Sequence, residues 1–182
     1  MDRAQYDAMN TRTNSTEMLR TGEAAPDFSL PQQDGSIVRL SELLARGPVV
    51  VYFYPRDETA GCTAQACAFR DAYEDFKAAG AEVVGISSDS ADSHASFARH
   101  RALPFLLLSD REGAVRKLYR VRPAFFGLVP GRVTFVIDSS GTIRHVFDSA
   151  INMSRHVTEA LASLKQLERK RAQSSSTAGI ES

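Results

Sequence analysis

The chain has no tryptophan and only two cysteines, Cys62 and Cys67, among its 182 residues. Two cysteines cannot form the disulfide framework of a small secreted domain or a four-thiolate zinc site. The four histidines, His94, His100, His145 and His156, show neither an HxxxH spacing nor a second cysteine pair beside them, so a metal site lacks ligands. An excess of either charge is also missing. Lysine plus arginine and aspartate plus glutamate number 22 each, which gives no bias toward nucleic acid or an anionic membrane. Long hydrophobic runs are absent, and Val49 to Tyr54 is far too short to span a bilayer. The opening MDRAQYDAMNTRTNSTEMLR has no apolar segment of the secretory kind, and Asp2, Asp7 and Glu17 argue against a transit peptide. The expectation is a cytoplasmic protein with no membrane and no nucleic-acid partner. In that compartment structural disulfides are rare, so two neighbouring cysteines point to catalysis or redox chemistry.

What is present is one dense domain. Residues 1–20 are polar and aperiodic and read as a loose extension. Residues 171–182, with AQSSSTAGIES from Ala172, read as a disordered tail. Between them, 21–170 forms the domain. Asp27 to Pro31 and Ile37 to Leu40 flank a QDG turn as short strands, and Pro48 to Tyr54 is a buried strand. From Cys62, the positions Ala66, Phe69, Tyr73 and Phe76 follow at spacings of one helix face, with Gly80 as the stop. A strand over Glu82 to Ser87, a helix over Ser90 to Arg101 and a strand over Phe105 to Ser109 come next. A short helix over Glu112 to Tyr119 turns Val115, Leu118 and Tyr119 inward. Arg132 to Asp138 and Thr142 to Phe147 form a hairpin around SSG, and a last helix carries Val157, Ala160, Leu161, Leu164 and Leu167 on one face. This order is that of an α/β fold of thioredoxin-like type, with a mixed central sheet flanked by helices.

The cysteines can be small buried hydrophobes or a redox pair. Cys62 follows a strand and the loop PRDETAG and opens a helix. There, free N–H groups and partial positive charge stabilise a thiolate, the reactive form of the thiol. Thr59 can bring a hydroxyl near, Gly61 lets backbone approach, and Pro55 ends the strand and can exclude water. On an intact helix, residues five apart point about 140° apart with Cα atoms about 8–9 Å apart. A disulfide needs them within about 7 Å. A bond between Cys62 and Cys67 therefore requires the helix start to unwind, which suits a pair that cycles. Cys62 lies on the apolar stripe, and Cys67 shares the polar flank with Asp71 and Glu74.

Pro55, Thr59 and Cys62 spell PxxxTxxC, and the stretch YFYPRDETAGCTAQACAFRD resembles the peroxiredoxins of the Q type, also called bacterioferritin comigratory proteins. The resemblance extends over about residues 20–168 and takes in APDFSLPQQDG, VVGISSDS, FLLLSD and GRVTFVIDSSGTIRHVF. It departs at Ala60, where the family often has proline. The resemblance implies Cys62 as the peroxidatic and Cys67 as the resolving cysteine. Thr59 and Arg132 would bind the peroxide, and Pro55 would shield the pocket. It further implies peroxide substrates, an intramolecular disulfide recycled by thioredoxin or a glutaredoxin-like dithiol, and no metal, flavin or haem. With both cysteines on one chain, a monomer suffices, although a dimer is compatible.

Two other readings remain open. General thiol–disulfide oxidoreductases on this fold usually separate their cysteines by two residues, and here four intervene. A redox-responsive binding protein would share the same chemistry. The apolar loop RPAFFGLVPGR at 122–132 reads first as packing on the core, and otherwise as an apolar wall for organic hydroperoxides or a contact surface. The GGLG and C-terminal YF motifs that accompany sensitivity to overoxidation in related peroxiredoxins are absent, so resistance is expected.

Overall fold

A computed structural model describes residues 17–178. The expected loose extension therefore lies mostly outside the described residues, as does the end of the expected C-terminal tail. Strands β1 (Ser29–Pro31) and β2 (Ile37–Arg39) form a small antiparallel pair, and helix α1 (Leu40–Leu44) follows. The main sheet contains β3 (Val49–Phe53), β4 (Glu82–Ser87), β5 (Leu106–Ser109), β6 (Val133–Ile137) and β7 (Ile143–Asp148). Its spatial order is β5-β4-β3-β6-β7. β3, β4 and β5 run parallel, β6 runs antiparallel to β3 and β7 antiparallel to β6, so the sheet is mixed as expected. The helices are α2 (Ala60–Asp71), α3 (Tyr73–Ala78), α4 (Ala91–Arg101), α5 (Ala114–Leu118) and α6 (Met153–Ala178).

β3 is buried along its whole length because both faces of the sheet are covered. Its alternating side chains divide the core in two. Val49, Val51 and Phe53 face a layer completed by Phe28, Leu40, Tyr119 and Phe135. Val50 and Tyr52 face Phe69, Phe76, Phe97, Val157, Ala160 and Leu164, and Cys62 belongs to this second layer. Tyr52 stacks on Phe69 at 4.5 Å between ring centroids. Gly85 makes room for it, since a Cβ there would lie 2.7 Å from the Tyr52 ring.

Several elements differ from expectation. The helix after the active loop begins at Ala60, two residues before Cys62, and breaks at Ala72 into α2 and α3. Gly80 does end it: its φ is 67°, and the Ala81 N–H closes on the Phe76 carbonyl at 2.9 Å. Leu118 is exposed, not inward. α5 is little more than one turn, so Val115 and Tyr119, four apart, take its inner face. Leu19, assigned to the loose extension, is buried in the first core layer. α6 runs on through Ala172 to Ala178 without a break at 170, and the Arg171 guanidinium donates to the Ser139 hydroxyl at 2.7 Å.

Candidate active site

The site forms where β3 ends and β6 begins. Thr59 is the residue before α2, with extended backbone, and its carbonyl accepts the Thr63 N–H at 2.8 Å. Ala60, Gly61 and Cys62 make up the first turn, whose N–H groups have no partner within the helix. The Cys62 sulfur is almost wholly buried, at 1% exposure, while Cys67 is half-buried; both are free thiols.

Arg132 immediately precedes β6, and its side chain is buried against α2. Its guanidinium donates to the Cys62 sulfur at 3.3 Å and also to the Gln65 side-chain oxygen. A guanidinium at this distance offers a charged hydrogen-bond donor to the sulfur and to any oxygen brought against it. Gly61 permits the contact: a Cβ there would lie 3.3 Å from the Arg132 guanidinium and 3.0 Å from the Met153 methyl. Two buried donors, Arg132 Nε and Gln65 Nε2, have no hydrogen-bond partner among the described residues.

Arg132 and Cys62, chosen from sequence, are thus brought together across 70 positions. Pro55 is half-buried at the start of the loop. Thr59 is exposed, and its hydroxyl donates to the Arg56 carbonyl at 3.1 Å, not to the sulfur. Cys67 lies in the same regular helix as Cys62, so in this state the two cannot bond. The apolar loop does not pack on the core as a whole: Phe126 and Leu128 are fully or largely exposed.

Sequence reasoning missed Gln65, which lies between the cysteines. It also missed a buried network beneath the loop. The Asp57 carboxylate accepts from Tyr54 at 2.6 Å, Ser93 at 2.7 Å and His94 Nδ1 at 2.9 Å. His94 Nε2 meets the Leu108 carbonyl at 3.1 Å. Burial raises the Asp57 pKa, but the hydrogen bonds from His94 and Tyr54 outweigh it and hold the carboxyl below its usual value. On the other side of Arg132, His156 pairs with Thr134 at 2.8 Å and the Ser149 carbonyl at 2.9 Å, and burial pushes its pKa down to about 4. Among the described residues, no cluster of three or more histidine, cysteine or acidic side chains is placed to hold a metal.

A buried thiol at a helix start, held by a guanidinium on a thioredoxin-like sheet, is the arrangement a cysteine-based peroxidase requires. The particular assignment comes from the comparisons. The AhpC/TSA family matches residues 21–146, and the chain belongs to that family. It is 52% identical over 146 residues to the chloroplastic peroxiredoxin Q of Oryza sativa subsp. japonica, covering 80% of this chain and 67% of that one. It is 51% identical over 146 residues to the chloroplastic peroxiredoxin Q of Sedum lineare, covering 80% and 78%. Among solved structures, peroxidoxin BcpB of Mycobacterium tuberculosis superposes with a TM-score of 0.76 at 41% identity, over 81% of this chain and 97% of that one. Peroxiredoxin Q of Xanthomonas campestris gives 0.72 at 29%, over 81% and 96%. The protein is a thiol-dependent peroxidase, an oxidoreductase that draws its electrons from cysteine thiols.

Proposed function

We propose that Cys62 is the peroxidatic cysteine and Cys67 the resolving one. The observation that carries this is the Arg132 guanidinium 3.3 Å from a buried sulfur in the first turn of α2. The Cys62 thiolate attacks one oxygen of the peroxide, the O–O bond breaks, and the other oxygen leaves as water or an alcohol after taking up a proton. Cys62 is left as a sulfenic acid. Arg132, Gln65 Nε2 and the free N–H groups of the turn are the donors for charge moving onto the oxygens. Thr59 joins them once its hydroxyl turns from the Arg56 carbonyl, and Pro55 limits water.

The first turns of α2 then unwind. The Cys67 sulfur displaces the sulfenic oxygen as water, giving an intramolecular disulfide. An external dithiol, thioredoxin or glutaredoxin-like, reduces it by exchange. The cycle needs one chain, so a monomer suffices. Exposed Phe126 and Leu128, in the loop leading to Arg132, favour organic hydroperoxides alongside hydrogen peroxide. A cycle run on free thiols suits a compartment that keeps them reduced, and we place the protein in the cytoplasm on that ground.

The test mixes reduced protein with one equivalent of hydrogen peroxide, followed by stopped flow and non-reducing peptide mapping. The expected result is reaction far faster than free cysteine and a Cys62–Cys67 disulfide. With Cys67→Ser the reaction should stop at the sulfenic acid. Reaction no faster than free cysteine would return the protein to the oxidoreductase or sensor readings.

A further inference from the structure

Arg116 lies on α5, outside every motif of the sequence, and has no part in the cycle described above. Its two terminal nitrogens donate to two backbone carbonyls, Gly131 and Tyr54, each at 2.8 Å. Its guanidinium lies 5.5 Å from the Phe53 ring centroid. Its own backbone N–H is held by the Asp110 carboxylate at 2.8 Å, which fixes the base of the side chain. Burial lowers its pKa, while Asp110 and the Cys62 sulfur act in the opposite direction; an arginine so placed stays charged.

The two carbonyls are particular ones. The β3–β6 ladder ends at the pair Phe53 and Val133. One step past it, Tyr54 leads into Pro55 and on to Cys62, and Gly131 lies two residues before that last pair and directly before Arg132. No sheet hydrogen bond joins the two segments there, and the Tyr54 N–H turns away to the Ile86 carbonyl at 3.1 Å. The Arg116 fork spans this gap. A lysine offers a single compact charge in place of two fixed donor directions, so it cannot serve both carbonyls equally.

We propose that Arg116 is a positioning residue for peroxide reduction, bridging the strand ends that carry Cys62 and Arg132 and setting a second cation behind the thiolate. This rests on Cys62 being the attacking thiol. Among the described residues, the charged and titratable groups that act on that sulfur include Arg132 before β6, Arg116 on α5 with Asp110 behind it, and Tyr52 on β3; one step further out, Asp57 and Cys67 act on Tyr52, and His156 on α6 acts with Arg132.

Full-length Arg116→Met and Arg116→Lys are to be compared with the unmodified chain. One readout is the single-turnover rate with hydrogen peroxide. The other is the pH midpoint of Cys62 alkylation by iodoacetamide in a Cys67→Ser background, which reports the thiolate without peroxide. Circular dichroism reports folding. We expect Arg116→Met to react about 10- to 100-fold more slowly with its alkylation midpoint moved up. Arg116→Lys should hold the midpoint near that of the unmodified chain yet recover only part of the rate. A folded Arg116→Met with unchanged rate and midpoint overturns the proposal. If Arg116→Met does not fold, an Arg116→Lys protein with full rate overturns the bridging role. An unmodified chain no faster than free cysteine would instead defeat the underlying assignment of Cys62.

Discussion

Two buried polar clusters lie just past the end of β3, and they are built on opposite principles. The Asp57 cluster is saturated. Both carboxylate oxygens, the Tyr54 and Ser93 hydroxyls and both His94 nitrogens have partners. The Cys62 cluster is left open. Arg132 Nε, Gln65 Nε2, the Thr63 hydroxyl and the Tyr52 hydroxyl beneath α2 find no hydrogen-bond partner among the described residues. A saturated network holds one geometry, and each unmade hydrogen bond in a buried site costs about 1–3 kcal/mol. The saturated cluster therefore anchors the loop, and the open one keeps donors that the proposed cycle would use to receive oxygen atoms before the helix start unwinds.

Breaking each cluster at its centre should separate the two roles, with the largest effects in the molecule. Cys62→Ser should abolish peroxide reduction and leave the thermal midpoint nearly unchanged, because the two side chains have similar size. Asp57→Ala removes the acceptor of the Tyr54 and Ser93 hydroxyls and of His94 Nδ1 and should lower stability by about 1–3 kcal/mol for each buried donor left unpaired, read by urea unfolding. Its activity should fall with the folded fraction. An Asp57→Ala protein of full stability and no activity would show that the saturated cluster belongs to the chemistry after all.

His156 sharpens the comparison with pH. Like the Asp57 cluster it is fully partnered, but it is buried neutral, with its pKa pushed down to about 4 from 6.5. Between pH 6.5 and 4 the unfolded chain takes up a proton that the folded chain refuses. Stability from this group is complete above 6.5 and declines as pH falls, by up to about 3 kcal/mol in all. Asp57, whose pKa is lowered, contributes in the other window: its stability is present above the ordinary carboxylate range and is lost only as pH falls below it. His156→Gln should therefore flatten the plot of melting temperature against pH between 6.5 and 4, while the loss at lower pH persists. A variant as acid-sensitive as the unmodified chain would assign that loss to other groups.

How much of this could be read in the sequence follows from the range of each interaction. The strands were legible because Val49–Phe53 and Val133–Ile137 are continuous apolar runs. Cys62, Cys67, Pro55 and Thr59 could be singled out because they lie within a dozen residues of one another. Arg132 was reached only through the resemblance, since nothing local at 132 points across 70 positions to a sulfur. Asp57, His94 and Arg116 stayed hidden for the same reason: their partners lie 37 and 62 positions off, and a polar residue in a loop or short helix looks solvated until the fold closes over it. Leu118 failed in the opposite sense, because periodicity on so short a helix does not say which flank the core takes.

The smallest expected effect bears on the open cluster itself. Gly61 costs the first turn of α2 helix stability, about 1 kcal/mol relative to alanine, and helps keep that turn ready to unwind. The same missing side chain lets Arg132 reach Cys62, since a Cβ would lie 3.3 Å from the guanidinium and 3.0 Å from the Met153 methyl. The methyl, at the end of a flexible chain, can yield by tenths of an ångström; the guanidinium, tied to Gln65, yields only by drawing back from the sulfur. Gly61→Ala should thus gain a fraction of that 1 kcal/mol in thermal unfolding while losing up to about tenfold in the rate of Cys62 oxidation. Disulfide formation should slow as well, because the firmer turn unwinds less often, and sulfenic acid should accumulate visibly in single turnover. Stability and activity moving in opposite directions at one methyl group would show that the openness of this cluster is what the reaction uses. If both rose together, the guanidinium contact would be dispensable and the turn's looseness incidental.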